Sequence, residues 1–200
     1  MDWHLLLVLA LVLGAEFVNG WTDAPNAIAT VVSTRVMTPR AAVVLATFFN
    51  MLGTLCGTAV AETIGKGIVD LASMNPDIII ATMISIILWS CVTVHFGIPT
   101  SKSHELVAGM SGAALAVAGP PALVAAGWVK VFWGLILSSF FGFVISFIMA
   151  KCIIAGCREI TPCTAKFVFG KLQIVSSMLM ALNHGMNDGQ KFIGIFSMTL

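Results

Sequence analysis

Charge is what this sequence has least of. Lys and Arg number 10 and Asp and Glu 9 in 200 residues, so charged side chains are 10% of the chain. A soluble domain carries roughly a quarter. Residues of the hydrophobic set reach 58%, and mean hydropathy is +1.01. Such a surface is not stable in water, which excludes a soluble globular protein. Period-two alternation is missing and the apolar runs are far longer than barrel strands, which excludes a β-barrel. No basic run points to nucleic acid. The five cysteines (Cys56, Cys91, Cys152, Cys157 and Cys163) are odd in number and lack C-x2-C spacing, so neither a disulfide framework nor a zinc site is indicated. Asp2, Trp3 and His4 precede the first apolar run with no Lys or Arg, and no small-x-small cleavage pattern follows. The start reads as a first membrane segment rather than a secretory leader.

What remains is an all-α, polytopic membrane protein with about six hydrophobic segments in one transmembrane domain, residues 1–200. Segment one covers Trp3 to Val36, segment two Ala41 to about Ile64, and segment three Asp77 to Phe96. Segment four, Glu105 to Ala118, gives only about 20 Å of helix against a hydrocarbon core of roughly 30 Å. Segment five runs from about Ala122 to Ala150. A basic loop over about 151–171 follows, and segment six begins near Leu172. The chain is still apolar at Leu200, so a fragment of a longer protein is expected. Lys and Arg concentrate at Arg35/Arg40 and at Lys151, Arg158, Lys166 and Lys171. The positive-inside rule then puts those loops in the cytoplasm and the N-terminus outside, in the cell (inner) membrane. This parity requires segments three and four to leave and return as two spans or a re-entrant hairpin.

Three polar interruptions break the apolar runs. The first is Asn19-Gly20-Trp21-Thr22-Asp23-Ala24-Pro25-Asn26-Ala27. Acids and amides deep in a hydrophobic span are costly and mark a functional site by default. Glu16, Asn19, Asp23 and Asn26 share one helical face within about 80°, while Pro25 and Gly20 favour a break. Carboxylate, amide and freed carbonyl oxygens suit Na⁺, and a carboxylate alone suits a proton. A polar interhelical contact is the plainer explanation. The second interruption, Pro99-Thr100-Ser101-Lys102-Ser103-His104, offers hydroxyls, amides and a helix N-terminus to an anion. Ser101 or Ser103 as an ordinary N-cap, with Glu105 in the first turn, also accounts for it. The third is Asn183-His184-Gly185-Met186-Asn187-Asp188-Gly189-Gln190-Lys191. His184 and Asp188 stand i, i+4 and could relay protons, although such a histidine is more often a hydrogen-bonded core residue. Superposing Gly20 on Gly185 places Asp23 on Asp188 and Asn26 on Lys191. On the topology above the two copies are antiparallel, an inverted repeat whose first unit is about 1–155 and whose second, from about 172 to 200, is incomplete.

These motifs carry a resemblance. Gly20 to Ala27 resembles the G-x-N-D-x-x-N-A signature of the inorganic phosphate transporter (PiT) family. Pro99 to His104 is similar to its P-x-S-x-[ST]-H motif, and His184 to Lys191 to its H-G-x-N-D-x-Q-K copy. The resemblance covers the N-terminal part of a longer family member. It implies phosphate held around Ser101, Lys102, Ser103 and Asn26, and a coupling cation near Asp23, Asn26, Asn187 and Asp188. Thr22, Pro25 and Lys102 depart from the pattern, and Asn50 stands where some sodium-coupled members have Glu. The expected activity is phosphate import by H⁺ or Na⁺ symport, with no cofactor beyond that ion and no enzymatic step. Sulfate transport is the nearest alternative, and a membrane-embedded hydrolase using His184 and Asp188, or His104 with Ser103, a more distant one. Expected partners are inorganic phosphate, the coupling cation and the lipid bilayer; a homo-oligomer is compatible with this reading.

Overall fold

Helices start where the sequence supplies a cap followed by proline. In the computed structural model, which describes residues 3–23, 25–56, 67–70 and 74–199, Thr38, Asn75 and Thr161 each precede a proline at the first helical position. Their side chains accept from Ala41 N (3.4 Å), Ile78 N (2.9 Å) and Thr164 N (3.4 Å). The cap satisfies an orphan donor, and proline lacks the N–H that would otherwise be another. These signals open α3 (Pro39–Thr54), α4 (Pro76–His95) and α7 (Pro162–His184). Ahead of them run α1 (Trp3–Asp23) and α2 (Pro25–Ser33). Between α4 and α7 lie α5 (Lys102–Ala118), a 3₁₀ turn (Pro120–Ala122) and α6 (Ala125–Gly156). A π turn (Gly185–Gly189) and α8 (Gln190–Thr199) follow α7. Gly97 (φ 65°) reverses the chain between α4 and α5, and Gly119 (φ 74°) ends α5.

Four helical stretches are long and apolar enough to cross a bilayer: Trp3–Ser33, Pro76–His95, Ala125–Gly156 and Pro162–Ser197. α5 begins at Lys102, three residues before the expected Glu105. Ser101 occupies the N-cap position but makes no side-chain cap bond; only its carbonyl engages, accepting from Glu105 N at 3.0 Å. The expected basic loop at 151–171 is corrected more substantially. α6 continues to Gly156 and α7 starts at Pro162, leaving a turn at 157–161. Lysine is a good helix former, and Lys151, Lys166 and Lys171 sit on helices rather than in a loop. Residue 24, between α1 and α2, and residues 57–66, with the expected end of segment two near Ile64, lie outside the described residues.

Two cores divide the described helices. The first packs α1, α4, α5 and α8 around Val12, Met83, Ile86, Leu106, Met110 and Ile195. The second packs α2, α3 and α7 around Ala27, Val31, Ala42, Ala46 and Ala181. Small residues let the second set approach closely. A Cβ on Gly185 would strike the Asn50 carbonyl of α3, and one on Gly53 the Leu182 carbonyl of α7. α6 buries only Gly127. Thr34, just past α2, contacts Gln173 at the midpoint of α7 at 2.7 Å, while the end of α7 meets the α1–α2 junction. α2 and α7 are therefore antiparallel, and the two basic clusters fall at one end of the molecule.

Candidate functional site

The polar interruptions meet where the two cores join. Asn19 is 1% exposed on α1; its amide donates to Glu16 Oε2 at 3.3 Å, and its Oδ1 is buried without a partner. Asp23, the last residue of α1, stands beside the π turn. One oxygen each of Asp23 and Asp188 and one ring nitrogen of His184 lie within 4.8 Å of one another.

Histidine geometry decides the chemistry of this cluster. His184 Nδ1 donates to Asn50 Oδ1 of α3 at 2.7 Å. In the neutral ring Nε2 then carries a lone pair. That nitrogen is buried, makes no hydrogen bond and faces Asp188 Oδ2 at 3.5 Å. A lone pair turned on a carboxylate oxygen repels it unless a proton or cation lies between them. Two carboxylates with one imidazole can accept a proton or hold a small cation; the nitrogen ligand suits a transition metal better than Na⁺.

A lysine ties this cluster to the second interruption. Lys191, one turn after Asp188, is buried; its Nζ donates to Asp188 Oδ1 and to Ser103 Oγ in the first turn of α5. Lys102 has other partners. It is 3% exposed and donates to Glu105 Oε1 (3.1 Å) and Oε2 (3.2 Å) and to Ser90 Oγ of α4 (2.8 Å). Ser90 in turn donates to Glu105 Oε2 at 2.7 Å, and Thr100 donates to Oε1. This closed network stitches α4 to α5, which makes Glu105 the counterion of Lys102 as well as a first-turn acid.

The structure thus brings together Asp23, Asp188 and, through Lys191, Ser103. It does not gather the other expected residues. Asn26 is exposed in α2, and Asn187 is exposed and folds back on the Asn183 carbonyl at 2.8 Å. Ser101 lines a separate groove of about 770 Å³ with Thr100 and His104. A cavity of about 800 Å³ opens on the cluster, lined by Glu16, Asn19, Gly20, Asn50, Thr54 and His184 among others. His184, Lys191, Asn50 and Glu105 enter the site with greater weight than their sequence gave them. The spacing of Asp188 to Lys191, i, i+3, was a usable signal. Nothing local linked Asn50 to His184, 134 residues away.

The model of the phosphate transporter family matches residues 19–161, which contain the first two interruptions. The chain belongs to that family. It is 38% identical over 205 residues to a probable low-affinity inorganic phosphate transporter of Bacillus subtilis (strain 168), covering 100% of this chain and 62% of the relative. A protein of the same description from Rhizobium meliloti (strain 1021) is 41% identical over 194 residues, covering 96% of this chain and 58% of the relative. The chain therefore spans about three-fifths of the length of these relatives. The fold matches a solved structure described as the sodium-dependent phosphate transporter, with TM-score 0.80 and 20% identity over 99% of this chain and 67% of that one. These proteins are transporters rather than enzymes. Of the two residue pairs weighed for a hydrolase, His184 and Asp188 face each other at 3.5 Å, whereas among the described residues no hydrogen bond joins His104 to Ser103, whose hydroxyl accepts from Lys191.

Proposed function

We propose that the protein to which this chain belongs imports inorganic phosphate by cation symport, and that the cluster at the join of the two cores couples the two fluxes. The lone pair of His184 Nε2 turned toward Asp188, with Asp23 alongside, carries the proposal. The arrangement is incomplete without a proton or cation. An imidazole among the ligands favours H⁺ as the driving ion, since Na⁺ prefers oxygen ligands. Lys191 supplies the coupling. When a cation settles between Asp23 and Asp188, it weakens the hold of Asp188 on the Lys191 ammonium. That charge, beside the Ser103 hydroxyl and the N-terminus of α5, then becomes available to an oxyanion. Cation first and phosphate second follows as the order of binding.

The halves of the site lie on antiparallel helices, which supports an inverted-repeat plan with alternating access. The two basic clusters at one end support a cytoplasmic placement of that end and an outward N-terminus. Phosphate uptake by the full-length protein in proteoliposomes tests the assignment. A pH gradient should drive accumulation, a Na⁺ gradient alone should not, and Asp23→Asn should reduce accumulation to background while the protein still inserts. Uptake by Asp23→Asn at the unmodified rate would sink the cation assignment. Accumulation of sulfate but not phosphate would sink the substrate.

A further inference from the structure

We propose that the cleft between the end of α2 and the first turns of α7 binds the headgroup of an anionic phospholipid. The cleft measures about 540 Å³, and Arg35, Lys166 and Lys171 contribute to its lining. Its charge is uncompensated: among the described residues no carboxylate forms an ion pair with any of the three. Lys171 instead rests its Nζ 4.2 Å over the Phe167 ring, an apolar wall of the same cleft. Arg35 is fixed on the other wall. It is the one non-glycine residue with positive φ (58°) among the described residues, held by backbone bonds from Arg35 N to Val32 O (3.1 Å) and Val36 N to Val31 O (3.0 Å). The Thr34–Gln173 contact holds the two walls together.

Three exposed cations lining one cleft without an ion-pair partner are suited to a phosphate oxyanion, and the surroundings favour one carried by a lipid. The cleft lies between the end of one stretch long and apolar enough to cross a bilayer and the first half of the α7 part of another, which suits contact with a headgroup. From Lys171, the exposed side chains of Leu172, Val175 and Leu179 recur at i, i+3 and i+7 along one face of α7, a track for an acyl chain. Basic pockets between helix ends at a membrane surface bind anionic headgroups with roughly 1 kcal/mol from each Lys or Arg. That corresponds to about fivefold in affinity per residue.

Native mass spectrometry of the full-length protein in detergent tests the cleft, with phosphatidylglycerol and phosphatidylcholine of matched acyl chains as probes. Phosphatidylglycerol should bind more tightly than phosphatidylcholine. The triple variant Arg35→Asn, Lys166→Gln, Lys171→Gln should lose about 100-fold of that affinity. Asparagine tolerates the left-handed backbone at position 35 and glutamine keeps the helix, so folding should survive. Lys171→Gln alone, on an exposed face, should lose about fivefold and carries the test should the triple variant not purify. Equal binding of the two lipids would overturn the proposal, as would unchanged phosphatidylglycerol affinity in the variants. Displacement of phosphatidylglycerol by inorganic phosphate, but not by chloride at equal ionic strength, would assign the cleft to the soluble anion and overturn its lipid assignment. None of these readouts depends on transport.

Discussion

The two cores are built on different physical terms. Around α1, α4, α5 and α8, long aliphatic side chains such as Met83, Ile86, Leu106 and Met110 interlock. Dispersion contacts of this kind fix a helix in one register. Around α2, α3 and α7 the buried positions are mostly alanine, and glycine lets backbones touch. Smooth, close-packed surfaces present few ridges to resist sliding, whereas interlocked ones must separate before they move. The cluster of Asp23, His184 and Asp188 lies between these two kinds of packing. The polar bonds reinforce each side: Lys191 on α8 reaches Ser103 on α5 within the first core, and His184 on α7 reaches Asn50 on α3 within the second, while Asp188 faces both His184 and Lys191 and links the two.

The largest effect should come from the small-residue side. Gly185→Val places a branched side chain against the backbone of Asn50, which has no rotamer with which to yield. Phosphate uptake should be abolished, and α3 and α7 should separate enough to break the Asn50–His184 bond; unchanged uptake would refute the close-approach argument. Next comes the α4–α5 stitch. Lys102→Met leaves Glu105 buried without a counterion, at a cost of roughly 3–5 kcal/mol. Lys102→Met with Glu105→Leu should recover most of the lost thermal stability in detergent, because burying an ion pair yields little net gain over apolar packing. No recovery in the double variant would mean that the pair does more than satisfy itself. Met83→Ala empties part of the interlocked core and should lower stability by about 2–5 kcal/mol while leaving the ion dependence of uptake unchanged. Smallest is Ser177→Ala on α7. Its hydroxyl is fully buried without a partner, so removal should be neutral or slightly stabilising. A clear loss of melting temperature would show that the hydroxyl has a partner.

The sequence made the interruptions legible because each one places acids, amides or hydroxyls where apolar residues are cheaper, and such departures stand out without any fold. The turn between α4 and α5 was legible in Gly97, which takes the positive φ that the reversal needs. The partnerships were harder to see. Lys102 reads as a free cation beside two serines, and its burial depends on Ser90, twelve residues earlier on a helix whose packing the sequence does not state. Ser103 and Lys191 are 88 residues apart, and their contact exists only because α5 starts beside the π turn. The basic stretch at 151–171 is misleading because lysine suits a helix as well as a loop. Thr161-Pro162 was the better signal, a cap and a helix start that outweigh nearby lysines.

α6, which buries almost nothing, sets a length scale for the whole molecule. Between Lys130 and Lys151 run twenty residues without a charge, about 30 Å of helix and close to the thickness of a hydrocarbon core. Trp128 and Trp133 stand at one end of that stretch, where indole rings favour the interface. The two lysines thus act as depth marks. A thinner bilayer would tilt α6 rather than shorten it, and the turn over 157–161 that joins α6 to α7 is where that tilt would be taken up.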